Sequence, residues 1–179
     1  RPGGEGGNAP IDWLALLAQD ARGYDNLCDL VSMAHLDRPV EEDAHVPFAA
    51  LEGRTDGLIA LTGGGEGALA RLLAEEQAPA AAAYADALEA LFPGRLYIEL
   101  SRRNDPVETA AEAALIDLAY ARNLPLVATN PCCYADEAFH PAHDAMLCIA
   151  SSSYIASDER PRSSPDAWMK SAEAMRALF

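Results

Sequence analysis

Short apolar segments alternate in this chain with longer segments that suit helices. Residues 58–61, 95–100 and 126–128 have the length and composition of strands. Between them lie an Ala-rich segment, residues 79–92, and a segment that begins with Asp-Pro and covers residues 105–122. This alternation predicts an α/β fold with a mostly parallel sheet and covering helices.

The rest of the chain is predicted to add one strand and further helices. Residues 12–18 suit a strand, and Asp20 can cap a helix that ends near Leu36. The apolar pattern of that helix assigns its inner face to Tyr24, Leu27, Cys28, Leu30 and Val31. A last helix is predicted to start at residues 164–166, Ser-Pro-Asp. Residues 1–10 are interpreted as a loop or an edge of the chain, and residues 11–179 as one partial domain.

The composition limits the partners that this chain can have. Its 179 residues are half hydrophobic, which is enough for a core, and its net charge is -15 with a pI of about 4.4. With only 13 Lys and Arg in all, we expect no direct binding of nucleic acid and none of an anionic membrane. No apolar run has the length of a membrane span, and no secretory signal opens the chain. Four cysteines without a disulfide-framework pattern favour a reducing, cytoplasmic setting.

Several segments, taken together and in order, resemble one known family. They are residues 16–27, 56–64 (DGLIALTGG), 92–100 (FPGRLYIEL), 124–130 (LPLVATN), 142–144 (AHD), 160–165 and 169–175. The family is the polymerase-and-histidinol-phosphatase (PHP) domain of the bacterial replicative DNA polymerase III alpha subunit. The family's opening His-x-His strand is missing, so the resemblance implies the later portion only. It implies an incomplete TIM-like (β/α)7 barrel, with an open sheet and an exposed edge.

The same resemblance implies a metal site whose ligands have been replaced. Ligand positions of metal-binding relatives fall here on Trp13, Arg103, Pro131 and Cys133, whereas His143 matches. An indole offers no lone pair, and a guanidinium repels a divalent cation, although Arg103 could supply a fixed positive charge in place of a metal. The remnant site is predicted at Trp13, Arg103, Asn130, Cys133, His143 and Asp144. We expect no cofactor and no catalytic residue; the alternative is zinc or manganese at the remnant site.

Three local patterns leave alternatives open. Cys132, Cys133, His140 and His143 could bind zinc, but adjacent cysteines suit a zinc site poorly, and inward packing of a cysteine is favoured. His143 could cap the start of a helix or contact Asp144. The glycine-rich residues 63–67 could cradle a phosphate, but they lack the Lys-Ser or Lys-Thr of a P-loop, so a tight turn is favoured.

The resemblance implies a function within a replicative polymerase. It favours a non-catalytic structural and docking module, with template-directed DNA synthesis performed elsewhere in the parent chain. The expected partners are the rest of the alpha subunit and other replicative subunits, the proofreading exonuclease among them. The alternative is a metal-dependent phosphoesterase or proofreading nuclease of the PHP family.

Overall fold

The centre of the molecule is a four-stranded sheet with the strand order β1-β2-β3-β4. The structure, a computed structural model, describes residues 11–37, 43–130 and 132–179. The strands are β1 (Ala15–Ala18), β2 (Leu58–Leu61), β3 (Leu96–Leu100) and β4 (Leu126–Ala128). β2, β3 and β4 are parallel, and β1 is antiparallel to β2. The predicted α/β fold with a mostly parallel sheet is confirmed. Within the described residues the sheet stays open and forms no closed barrel.

Helices follow the strands along the chain. They are α1 (Ala21–Leu36), α2 (Ala68–Ala74), α3 (Ala78–Leu91), α4 (Pro106–Arg122), α5 (His140–Ala150) and α6 (Ala172–Leu178). The carboxylates of Asp20 and Asp105 accept hydrogen bonds from backbone amides in the first turns of α1 and α4. Among the described residues, no helix is long and apolar enough to cross a membrane.

Two apolar clusters pack against the sheet and share helix α3. The first packs α2, α3 and α4 against β3, with Leu69, Ile98 and Leu115 at its centre. The second joins α1, β2 and the end of α3 through Leu30, Leu58, Leu88 and Phe92. The alanines of α3 that face the core, Ala81 and Ala85, are fully buried, and their small side chains let the helices approach closely.

The predicted inner face of α1 is wrong in part. Leu30 is buried as expected, but Tyr24 and Val31 are 64% and 56% exposed, and Cys28 is exposed too. The helix instead packs through Gly23 and Asn26. A Cβ on Gly23 would lie 1.9 Å from the carbonyl oxygen of Gly57, and Asn26 Nδ2 donates to the Asp56 carbonyl at 2.8 Å. This contact face is small and polar, so an apolar periodicity does not reveal it.

The predicted start of the last helix is also wrong. α6 begins at Ala172, where the Ser171 side chain accepts from the Ala174 amide. Residues 164–167 form a turn, and Trp168 then pairs with Tyr134 in an isolated β-bridge. Backbone groups in this segment are used in that bridge, which excludes a helix there.

The strand β4 is less buried than its apolar sequence suggests. Leu126 and Ala128 are exposed and Val127 is half-buried, because among the described strands β4 pairs only with β3 and forms an edge of the sheet. The predicted loop at residues 1–10 and the ligand position Pro131 lie outside the described residues.

Candidate functional site at the strand ends

A buried carboxylate joins the ends of the three parallel strands. Glu99 on β3 is 8% exposed, and its Oε2 accepts from the Gly63 amide, after β2, at 2.9 Å. Its Oε1 accepts from the Thr129 hydroxyl, after β4, at 2.7 Å. The Glu99 amide in turn donates to the Thr62 hydroxyl at 3.0 Å. Glu99 therefore fixes the relative positions of β2, β3 and β4.

The glycine-rich loop after β2 is a tight turn, as the sequence favoured. Gly63 has a φ of 85°, and a Cβ there would lie 2.2 Å from the Trp13 carbonyl oxygen. A Cβ on Gly67 would lie 1.9 Å from the Thr62 carbonyl oxygen. The anionic group that this loop contacts through its Gly63 amide is the Glu99 carboxylate of the protein itself.

A second buried carboxylate, Glu108, lies in the first turn of α4 and is paired with Arg103. The Ser101 hydroxyl donates to Glu108 Oε1 at 2.6 Å, and Arg103 Nε donates to the same oxygen at 2.9 Å. The Arg103 amide donates to Glu108 Oε2 at 2.8 Å. Burial opposes ionisation, but these hydrogen bonds and the guanidinium charge hold the pKa of Glu108 below its ordinary value. Glu108 is therefore a carboxylate whose two oxygens are already occupied by donors.

The space around these carboxylates is small. A cavity of about 10 Å³ lies against Glu99, Ser101 and Glu108 and is bounded by Gly64 and Gly65. This is about the smallest volume that can hold a single water molecule. We call Glu99, Ser101, Arg103 and Glu108, with the Gly63 amide and the Thr129 hydroxyl, the strand-end network. It has no room for a substrate between its members.

Two of the predicted site residues, Trp13 and Arg103, flank Glu66 at the edge of this network. The Trp13 amide donates to the Glu66 carbonyl at 3.0 Å, and Arg103 Nη1 lies 3.6 Å from Glu66 Oε1. The Trp13 side chain is 67% exposed. Arg103 therefore supplies a positive charge among carboxylates, whereas Trp13 presents its ring to solvent.

The remaining predicted site residues lie in α5 and in the loop that precedes it. His143 Nδ1 is hydrogen-bonded to the Ser163 hydroxyl at 2.6 Å, and His140 Nε2 is hydrogen-bonded to the Ser163 carbonyl at 3.1 Å. The Tyr134 ring packs beside His143, with centroids 5.2 Å apart. His143 does not cap a helix start, because it lies inside α5, which begins at His140, and its Nδ1 is hydrogen-bonded to Ser163 rather than to Asp144.

Asp144 is paired with an arginine. Arg160 donates to both carboxylate oxygens, at 2.8 and 2.7 Å, and the Ser163 amide donates to Oδ1 at 3.0 Å. The Arg160 hydrogen bonds first, and then that of the Ser163 amide, hold the pKa of Asp144 well below its usual range. Asp144 thus anchors the segment around Ser163.

Asn130 and Cys133 fasten the loop after β4 to the C-terminal segment. Asn130 Nδ2 donates to the Trp168 carbonyl, and the Cys133 amide donates to the Ala167 carbonyl, both at 2.7 Å. We call Asn130, Cys133, Tyr134, His143, Asp144, Arg160 and Ser163 the loop network. The site residues predicted from the sequence thus fall into two groups: Trp13 and Arg103 at the strand ends, and the others in the loop network.

The alternative readings of the cysteines find no support in the fold. The thiols of Cys132 and Cys133 are both exposed, so the expected inward packing is wrong. In residues 11–37, 43–130 and 132–179, no group of three or more His, Cys, Asp or Glu side chains could hold a metal ion. The predicted zinc set of Cys132, Cys133, His140 and His143 is therefore not brought together.

Glu99 and Glu108 are the residues that reading the sequence missed. Glu99 interrupts the apolar β3 segment LYIEL, in which Leu96, Ile98 and Leu100 are buried, and that interruption was the available signal. Glu108 resembles an ordinary acidic residue in the first turn of a helix. Its partners only become evident when Ser101 and Arg103 are placed beside it.

Comparisons with known proteins agree with this architecture. A model of the family described as "PHP domain" matches residues 8–103. The chain is 41% identical over 98% of its length to DNA polymerase III subunit alpha of Caulobacter vibrioides. It is 32% identical over 93% of its length to the Rickettsia bellii protein of that name, and 33% identical over 93% to that of Escherichia coli K12. It spans only 16%, 14% and 14% of those three proteins. The matched family model covers more than half of the chain, which therefore belongs to the PHP domain family.

Proposed function

We propose that this chain is the PHP portion of a DNA polymerase III alpha subunit and that it acts as a structural and docking module without hydrolytic activity of its own. The observation that carries the proposal is the pairing of Arg103 with Glu108, at 2.9 Å from Nε and 2.8 Å from Nη2 to the same oxygen. A guanidinium already neutralises this carboxylate, so no metal ion is needed to balance its charge.

The donor set at the strand ends does not fit a catalytic metal. Such a site needs neutral imidazoles and free carboxylates that converge on one centre. Glu99 and Glu108 are already hydrogen-bonded through both oxygens, and in the part of the chain that the structure describes no imidazole bonds to either. A divalent ion next to Glu108 would lie beside the Arg103 guanidinium and be repelled by it.

The imidazole that matches the family's ligand pattern, and the carboxylate beside it, are used in the loop network. His143 is bonded to Ser163, and Asp144 to Arg160. Binding of zinc or manganese there would break the Asp144–Arg160 pair. For these reasons we propose that the chain needs no cofactor.

The same reasoning extends to the architecture and setting of the parent protein. We propose that the open sheet belongs to an incomplete TIM-like (β/α)7 barrel, whose edges β1 and β4 face other parts of a longer polypeptide. In that polypeptide, template-directed DNA synthesis would be performed outside this portion. The expected partners are the rest of the alpha subunit and other replicative subunits, including the proofreading exonuclease, in the cytoplasm. The net charge of -15 favours protein partners over direct contact with nucleic acid.

The proposal is tested by metal analysis and a hydrolysis assay on the same preparation. The purified chain is incubated with Mn²⁺ or Zn²⁺, desalted, analysed for bound metal and assayed with p-nitrophenyl phosphate. We expect substoichiometric metal and no turnover above that of a Glu108→Gln control. One or more equivalents of bound metal, together with turnover that Glu108→Gln abolishes, would instead establish the metal-dependent phosphoesterase.

A further inference from the structure

The exposed ring of Trp13 has a rigid support and forms the wall of a cleft. Its backbone is fixed, because its amide donates to Glu66 and its carbonyl closely approaches Gly63. Even so, 67% of the residue is in solvent, although tryptophan is a residue type that is highly buried on average. A large aromatic ring held on a rigid backbone and left open is a common anchor in protein interfaces.

The cleft beside Trp13 combines apolar walls with carboxylates. It is open to solvent, has a volume of about 280 Å³, and is lined by Ile11, Asp12, Trp13, Gly65, Glu66, Arg71 and Val107. Ile11 is 49% exposed, so apolar surface continues from the ring to the rim. A flexible side chain with an apolar stem and a polar head matches these walls.

One carboxylate in the cleft remains available for a cation. Arg71 donates to both oxygens of Asp12, at 2.8 and 2.7 Å, and also contacts Glu75 at 3.4 Å. Arg103 is committed to Glu108. The Glu66 side chain is 58% exposed, and its recorded ion pair is the long 3.6 Å contact with Arg103. Glu66 is thus the acid in the cleft that is best able to pair with an incoming charge.

We propose that the cleft between Trp13 and Glu66 binds an arginine side chain from a basic segment of a partner protein. The guanidinium would stack on the indole and pair with the Glu66 carboxylate, while its methylene stem contacts Ile11 and Val107. The net charge of -15 steers basic segments towards this surface and repels nucleic acid. This inference rests on the docking role proposed above and names the chemistry of the partner.

The probe for this proposal is an acetylated, amidated Gly/Ser peptide that carries two arginines. A matched peptide with citrulline in place of arginine keeps the shape and removes the charge. Binding to the full chain is followed by the fluorescence of Trp13 in a Trp168→Phe background, and by calorimetry. We expect saturable binding of the arginine peptide, weakening by about fivefold or more in Glu66→Gln and in Trp13→Ala, and a similar loss with citrulline.

Control variants separate this site from general charge attraction and from other occupants. Glu137→Gln removes an exposed carboxylate outside the cleft and should leave the affinity unchanged. Equal losses in Glu137→Gln and Glu66→Gln, or equal binding of the citrulline peptide, would overturn the proposal. If the peptide binds only after residues 1–10 are deleted, those residues occupy the cleft. If it binds only when a self-associated form is diluted, a second copy of the chain occupies it. Either result would overturn the proposal. Metal content and hydrolysis of Glu66→Gln are measured in parallel. These measurements distinguish a cleft that does not bind arginine from a chain that is a metal-dependent hydrolase.

Discussion

The strand-end network and the loop network use the same residue types in different environments. In the strand-end network, Glu108 and Arg103 have side chains that are 5% and 18% exposed, and they lie against an apolar core. In the loop network, the Asp144 and Arg160 side chains are just as little exposed, at 16% and 5%, but they fasten an irregular C-terminal segment in which few apolar side chains are buried. Because the first pair lies among packed helices and strands, whereas the segment that holds the second pair can open locally and let water reach its charges, the first network should control the stability of the whole fold and the second only local order.

The largest effect is expected from Glu108→Ala. It leaves the Arg103 guanidinium and the Ser101 hydroxyl without their partner in a largely buried site, so the free energy of unfolding should fall by about 4 kcal/mol. Glu112→Ala is the matched control, since Glu112 also pairs with an arginine, Arg102, but with side chains that are 26% and 36% exposed. Glu112→Ala should lower the free energy of unfolding by about 1 kcal/mol. Urea unfolding measures both; equal losses would remove the distinction between buried and accessible pairs.

Gly63→Ala should be the next most damaging substitution. An alanine at a φ of 85° is strained, and its Cβ would meet the Trp13 carbonyl oxygen at 2.2 Å, so a loss of about 3 kcal/mol is expected. Gly53→Ala serves as control, because Gly53 has a φ of 73° but nothing within 4 Å of the added Cβ. In Gly53→Ala only the backbone is strained, and the free energy of unfolding should fall by about 1 kcal/mol. If the two variants have the same stability in thermal unfolding, the close approach is not important.

Acid should destabilise the folded protein by protonating Glu108 in the strand-end network. The folded pKa of Glu108 lies below its ordinary value of 4.5, so the unfolded chain binds more protons in this range. The stabilisation by Glu108 is therefore complete above about pH 4.5 and is lost as the pH falls through the lower, folded pKa. Unfolding measured in urea from pH 7 to pH 3 should show a steeper decline for the wild type than for Glu108→Gln. Parallel curves would contradict the assignment.

The smallest effect is expected from Asp144→Asn in the loop network. Loss of the charge weakens the pairing with Arg160 and the contact with the Ser163 amide, but the irregular segment around Ser163 can open locally, so that water solvates the freed groups. Global stability should change little, whereas hydrogen exchange at the Ser163 amide should become faster. Asp158→Asn is the control. The Asp158 and Arg162 side chains are exposed and their charged atoms are 3.7 Å apart, so loss of this pair should leave hydrogen exchange at the Ser163 amide unchanged. A global destabilisation as large as that of Glu108→Ala would make the two networks equivalent.

Local signals in the sequence were sufficient for most elements of the fold. Asp20 and Asp105 cap helices where the sequence placed them, because capping depends on a few neighbouring residues. The antiparallel direction of β1 depends on pairing with β2, some forty positions later in the chain, and no local pattern encodes it. The false helix start at Ser164 has the same origin, since the bridge between Tyr134 and Trp168 overrides a good local capping signal.

The candidate site was less predictable than the fold. The resemblance selected Arg103 and His143, but their partners Glu108 and Ser163 follow from tertiary packing. Glu99 accepts hydrogen bonds from Gly63 and Thr129, which are 36 and 30 positions away in the chain. No local sequence pattern therefore predicts its role. The neighbouring arginines illustrate the limit: Arg103 enters the strand-end network, whereas Arg102 pairs with Glu112 and lies over the Phe179 ring at 4.7 Å.

Anomalous diffraction from crystals grown with MnCl2 tests most directly whether a guanidinium has taken the place of a metal. The account predicts Arg103 on Glu108 and no manganese peak at the carboxyl ends of β2, β3 and β4. A manganese peak bonded to Glu99 or Glu108, with the Arg103 side chain turned away, would contradict it.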